Sequence, residues 1–150
     1  LLPVPSLNPD AVAPGEDHRV ISPHVSAWMR DALRATVTRG SGKAAEAPGY
    51  EVGGKTGTAN KLAPDGGYDG ERTLASFAGA FPMSDPRYVL VVTLDEPEDR
   101  SGPKPRRTAG ATAAPVAGEA IRRRAPLLGL KPAPTPAAPA TAATLAAATR

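Results

Sequence analysis

The residue best placed to do chemistry in this chain is Lys55, within Gly54-Lys55-Thr56-Gly57-Thr58. On an extended strand lining a cleft, that run combines several tools. Lys55 supplies a fixed positive charge for a carboxylate or for proton handling. The hydroxyls of Thr56 and Thr58 can hydrogen-bond an acidic group. Backbone N–H groups along a strand edge can stabilise a developing oxyanion. Gly53, Gly54 and Gly57 remove side chains where another backbone must come close. The bare tripeptide fits a glycine-rich strand with one exposed lysine equally well, so context has to decide.

A competing pattern overlaps it. Gly49-Tyr50-Glu51-Val52-Gly53-Gly54-Lys55-Thr56 fits the phosphate-loop expression G-x-x-x-x-G-K-[ST]. Val91-Val92-Thr93-Leu94-Asp95-Glu96 resembles the apolar strand whose terminal acid holds magnesium in nucleotide hydrolases. A phosphate loop, however, follows a buried strand and opens a helix whose N-terminus holds the phosphate. Here 41–48 reads as loop, and Pro64 with Gly66 and Gly67 breaks the chain soon after Lys55. The nucleotide hydrolase stays as an alternative that its context disfavours.

The elements that must position Lys55 are legible around it. Ser22-Pro23 opens a helix, with Ser22 as cap and Pro23 at the first helical position. Val25, Trp28, Met29, Ala32, Leu33 and Val37 follow at helical spacing, with Trp28 expected in the core. The helix should end near Gly40. Strands are expected at 50–58, 73–81 and 88–94, the last a β-branched run typical of a strand buried on both faces. The 63–67 and 83–87 stretches carry turn chemistry, so short connections favour an antiparallel meander. A helix at 109–124 should turn Val116, Ala117, Ala120 and Ile121 inward, despite Pro115. Leu127, Leu128 and Leu130 are expected to pack the chain back onto the sheet.

Composition narrows the class. A charged fraction of 22% and a hydrophobic fraction of 41% suit one soluble globular unit. The net charge of +3 is small, and the arginine runs at 106–107 and 122–124 lack interleaved aromatics, so no nucleic-acid partner is expected. The absence of cysteine removes disulfides and thiolate metal sites. His18 and His24 show no metal spacing, and Asp95, Glu96, Glu98 and Asp99 read as a solvated loop. No metal and no cofactor are therefore expected. No apolar run approaches the ~20 residues of a spanning helix, so any membrane anchor is expected outside this sequence.

The ordered series around Lys55 resembles the class B penicillin-binding proteins, the division-type peptidoglycan transpeptidases. Residues 49–59 are similar to that family's third active-site motif. The resemblance continues through Pro64-Asp65-Gly66-Gly67-Tyr68, residues 75–82 and Pro86-Arg87-Tyr88-Val89-Leu90-Val91-Val92. It resumes at Ala113-Ala114-Pro115-Val116 and Ala125-Pro126-Leu127-Leu128-Gly129, covering roughly Ile21 to Lys131. A set of S-x-x-K, S-x-N and K-T-G elements marks the superfamily.

The resemblance implies acyl transfer through a serine, with β-lactams acylating the same group. Lys55 and Thr58 would be catalytic, and Thr56, Gly57 and Thr58 substrate-binding. The Thr58 N–H would form half of an oxyanion hole. The family's nucleophile precedes K-T-G. Ser101-Gly102-Pro103-Lys104 follows it and is crossed by prolines, and Ser6-Leu7-Asn8 lies too near Lys55 and among prolines. Both are treated as chance matches, so no nucleophile is expected in this chain.

The expected fold is α+β, a partial β-lactamase/transpeptidase-like fold with an antiparallel sheet flanked by helices. Residues 1–131 would be the C-terminal portion of the transpeptidase domain and 132–150 a disordered Ala/Pro/Thr-rich tail. Expected partners are peptidoglycan stem peptides, β-lactams, the N-terminal part of the same protein and divisome proteins. The place the resemblance implies is the periplasmic face of the bacterial inner membrane. Apart from the nucleotide hydrolase, a non-catalytic penicillin-recognising module and a plain structural segment are the rivals.

Overall fold

A computed structural model describes residues 2–3, 17–18 and 20–133. Leu2–Pro3 (β1) and Asp17–His18 (β2) form a two-residue antiparallel ladder. Helix α1 spans Pro23–Thr38 and begins where the sequence signals it: Ser22 Oγ accepts the Val25 N–H at 3.2 Å. At its end the N–H groups of Arg39 and Gly40 bond back to Ala35 and Thr36. A short 3₁₀ turn follows at Lys43–Ala45.

Three strands then form an antiparallel meander in the order β3 (Gly53–Leu62), β4 (Tyr68–Phe81), β5 (Tyr88–Asp95). The α+β meander matches the expectation, but two strand limits move. Residues 50–52 have strand-like side chains yet stand outside β3, because Glu51 takes a left-handed φ of +45°. Its carbonyl accepts the Met83 N–H at 3.0 Å, and its carboxylate accepts the Ser84 N–H at 3.1 Å. β4 starts at Tyr68 rather than Thr73. Asn60 pairs with Thr73 but Lys61 pairs with Asp69, so 70–72 form an extra bulged segment. Gly66, at φ +85°, closes the tip between β3 and β4, where the Ala63 N–H bonds to Gly67 O.

One sheet face packs on helix α2, Ala113–Arg124. Phe77 and Ala75 of β4 are fully buried there with Val52, Ala113, Ala114 and Ala117, and Ile121 is nearly so. Burying Phe77 contributes about 2–3 kcal/mol by area. The small residues let α2 approach closely. A Cβ at Gly118 would stand 2.9 Å from the Ala44 carbonyl oxygen. The helix starts at Ala113 and not at Ala109, since the Ala111 and Thr112 N–H groups turn back to Thr108 O. Pro115 falls in the first helical turn, where its missing N–H costs nothing.

Four expectations of burial are corrected. Trp28 is 64% exposed, and Val25 and Met29 share its exposed stripe, so α1 buries only Val37. On β5 residues alternate between half-buried and exposed, with Val89 77% and Val91 62% exposed. Val116 is exposed, and of the four residues expected inward on α2 Ala117 and Ile121 are buried. Leu127 and Leu128 are exposed as well, and only Leu130 packs on the core. Apolar spacing reports which face could be buried, and these faces find no cover among the described residues. Pro132 and Ala133, the first residues of the expected tail, sit against Gly49, with the Ala133 N–H on Gly49 O at 2.8 Å. Its remainder, 134–150, lies outside the described residues.

Candidate functional site

Among the described residues β3 is an outer strand, paired only with β4. One row of its backbone groups is taken by that ladder, and alternate residues direct theirs away from the sheet. Lys55 stands exposed on this edge, with Nζ donating to Thr56 O at 2.7 Å. Side chains alternate across the strand. Lys55 and Gly57 lie opposite Ala78 and Ser76 on one face. Thr56 lies opposite buried Phe77 on the other, so Thr56 and Thr58 face the α2 side.

Both threonine hydroxyls have partners there. Thr58 Oγ1 accepts the Ala109 N–H at 2.9 Å, just ahead of α2. Thr56 Oγ1 lies 2.7 Å from Ser41 Oγ, in the turn after α1. Ser41 had no signal of its own in the sequence beyond its two flanking glycines. Its partner is 15 residues away, and only folding brings them together.

The near half of β3 is set by close packing. Gly54 faces Gly79 across the ladder, and the Phe77 ring fills the space that side chains would occupy. A Cβ at Gly54 would stand 2.5 Å from Phe77 Cζ and 2.6 Å from the Ala78 carbonyl oxygen. At Gly53 the obstacle is the Met83 side chain, and at Gly57 only the Ser76 hydroxyl. Close backbone approach therefore explains Gly54 and not all three glycines. Upstream, Arg34 of α1 donates to Val52 O at 2.7 Å and holds Glu46 with two further bonds. That clamp fixes the chain one residue before β3.

The far half is held by charge. Lys61 bonds Asp95 and Glu96, and Arg72 of the bulged segment also reaches Glu96. Hydrogen bonds from Lys61 and then Arg72 hold the Glu96 carboxyl below its ordinary range. Asp95 and Glu96 thus serve as ion-pair partners, and Glu98 and Asp99 pair likewise with Arg107 and Arg106. Among the described residues no group of three or more His, Asp or Glu is arranged to hold a metal.

The rival pattern lacks its geometry. β3 runs extended from Gly53 to Leu62, so no helix opens after Lys55 to receive a phosphate. The Ser101–Lys104 match lies in an exposed bend, where Ser101 Oγ accepts from Arg106. His24 is exposed in the first turn of α1. The Ser6-Leu7-Asn8 match and the side chain of His18 lie outside the described residues. Hollows beside α2 and at 101–106 do not include Lys55 in their walls. No described helix is long and apolar enough to cross a membrane.

Comparison with known proteins points to one family. Residues 10–122 match the model of the penicillin binding protein transpeptidase domain. The chain is 44% identical over 131 residues to the probable peptidoglycan D,D-transpeptidase FtsI of Caulobacter vibrioides, covering 82% of this chain and 22% of that one. It is 40% identical over 114 residues to stage V sporulation protein D of Bacillus subtilis, covering 76% and 17%. Among solved structures, ampicillin-bound penicillin-binding protein 3 of Mycobacterium tuberculosis aligns with TM-score 0.65 and 32% identity, over 83% of this chain and 28% of that one. The apo transpeptidase domain of Burkholderia pseudomallei penicillin-binding protein 3 gives 0.65 and 36%, over 77% and 33%. Extended backbone through Lys55, the three-stranded meander and these matches lead to one assignment: the chain belongs to the penicillin-binding protein transpeptidase family.

Proposed function

We propose that this chain forms the K-T-G side of a D,D-transpeptidase active site, acting in peptidoglycan cross-linking and binding β-lactams. The observation that carries this reading is Lys55 on an exposed edge strand, with Thr56, Gly57 and Thr58 following along it. The serine and its S-x-N element come from sequence upstream, in keeping with a chain that spans about a fifth of its curated relatives. The serine oxygen attacks the penultimate D-alanine carbonyl of a stem peptide, and the C–N bond to the terminal D-alanine breaks. An amine from a neighbouring stem then attacks the ester and frees the serine.

Lys55 steers the terminal carboxylate and tunes proton transfer. Thr56 and Thr58 offer protons to the same carboxylate, Gly57 keeps the strand edge open, and the Thr58 N–H faces the oxyanion. The site works at the periplasmic face of the inner membrane, alongside divisome proteins, with no cofactor. Lys55→Ala in the intact protein tests this with a fluorescent penicillin. Labelling should slow by about 100-fold or more, as for loss of a preorganised electrostatic group. Labelling at the wild-type rate would refute the assignment, and saturable magnesium-ATP binding would restore the phosphate-loop reading.

A further inference from the structure

Ser41 is fixed in place by the backbone around it. The N–H groups of Gly40 and Gly42 both bond to Thr36 O, at 3.0 and 3.1 Å. Gly42 is buried, and a Cβ there would meet the Phe77 ring at 3.4 Å. Gly110 comes so close that its Cβ would stand 2.7 Å from Ser41 O. What this frame presents is an exposed hydroxyl, 2.7 Å from Thr56 Oγ1.

Two hydroxyls sharing one hydrogen bond leave one proton free, on whichever oxygen accepts. The neighbouring threonine has a fixed sense. Thr58 Oγ1 accepts the Ala109 N–H, so its own proton stays available for a ligand. An anion beside the strand accepts protons only. It would draw the Ser41–Thr56 pair into the same sense, each bond polarising the next.

We propose that Ser41 is a positioning residue for carboxylate recognition: its hydroxyl donates to Thr56 Oγ1 and commits the Thr56 proton to the carboxylate of the ligand. This rests on the acyl-transfer reading above and adds a residue from outside the Lys55–Thr58 run. The chemistry it selects is a free carboxylate at the end of the acyl donor.

The test compares acylation of the full-length protein by a penicillin and by its methyl ester, which lacks the anion. Ser41→Ala should slow the acid about tenfold while leaving the ester within about twofold of wild type, as expected for loss of a charge-assisted relay. Ser41→Thr, which keeps the hydroxyl, should retain the wild-type preference for the acid. Equal slowing of both probes by Ser41→Ala would reduce Ser41 to a structural part and overturn the proposal. So would Ser41→Thr behaving like Ser41→Ala, or Ser41→Ala matching a labelled wild type. A wild-type protein that neither probe labels would remove the acyl-transfer reading itself, and this role with it.

Discussion

The two halves of β3 are held by different physics. From Gly53 to Thr58 the strand is positioned by contact: Gly54 against Gly79, the Phe77 ring filling their missing side chains, and Met83 over Gly53. From Lys61 onward it is positioned by exposed charges around a bulge. Contact is short-ranged and unforgiving, because a methyl group has nowhere to go in a packed interior. Exposed ion pairs are screened and tolerant, each worth little. The half that carries Lys55, Thr56 and Thr58 is the one built on contact. Precision has been placed where the proposed chemistry is, and compliance at the other end.

Three substitutions in the intact protein probe that contrast. Gly54→Ala should do the most damage. The added methyl would collide with a backbone carbonyl as well as the Phe77 ring, costing about 1–3 kcal/mol and lowering the melting temperature. Penicillin labelling should fall with it, and a variant of unchanged stability would show that the glycine pair is not tightly packed. Arg34→Ala comes next. It removes the donor to Val52 O and leaves Glu46 without its cation, at about 1–2 kcal/mol by denaturant titration. No loss would mean that the approach to β3 is fixed by packing alone.

Glu96→Gln should have the smallest effect, visible mainly in acid. Because Lys61 and Arg72 lower the folded Glu96 pKa beneath its ordinary 4.5, its contribution is present above that value and fades as pH falls through the folded pKa. The variant should therefore melt slightly lower than wild type at neutral pH and converge with it in acid. Parallel melting curves from pH 7 to pH 3 would remove Glu96 from the account of the far half.

Much of this was legible in the residues, and what was not has identifiable causes. Ser22-Pro23 fixed the start of α1 because capping is local, and the β-branched 88–94 run announced β5. The shift at 50–52 was hidden, since Glu51 leaves extended geometry in company with two N–H groups more than 30 residues along the chain. The bulge at 70–72 was hidden likewise, because its ion pairs join three strand ends. Trp28 misled because periodicity states that a face is apolar without stating what meets it. At the site, Lys55 and its neighbours announced themselves as a contiguous run. Ser41 and the Ala109 N–H join them only through tertiary contact.

β5 carries a further consequence. Among the described residues its outer edge has no partner strand, and its Val89 and Val91 side chains stand clear of the core. A bare ladder flanked by valines is a template that recruits any extended chain, including another copy of itself. Handled apart from whatever caps that strand, these residues would carry an adhesive border. The missing cover is thus a condition of solubility as much as of shape.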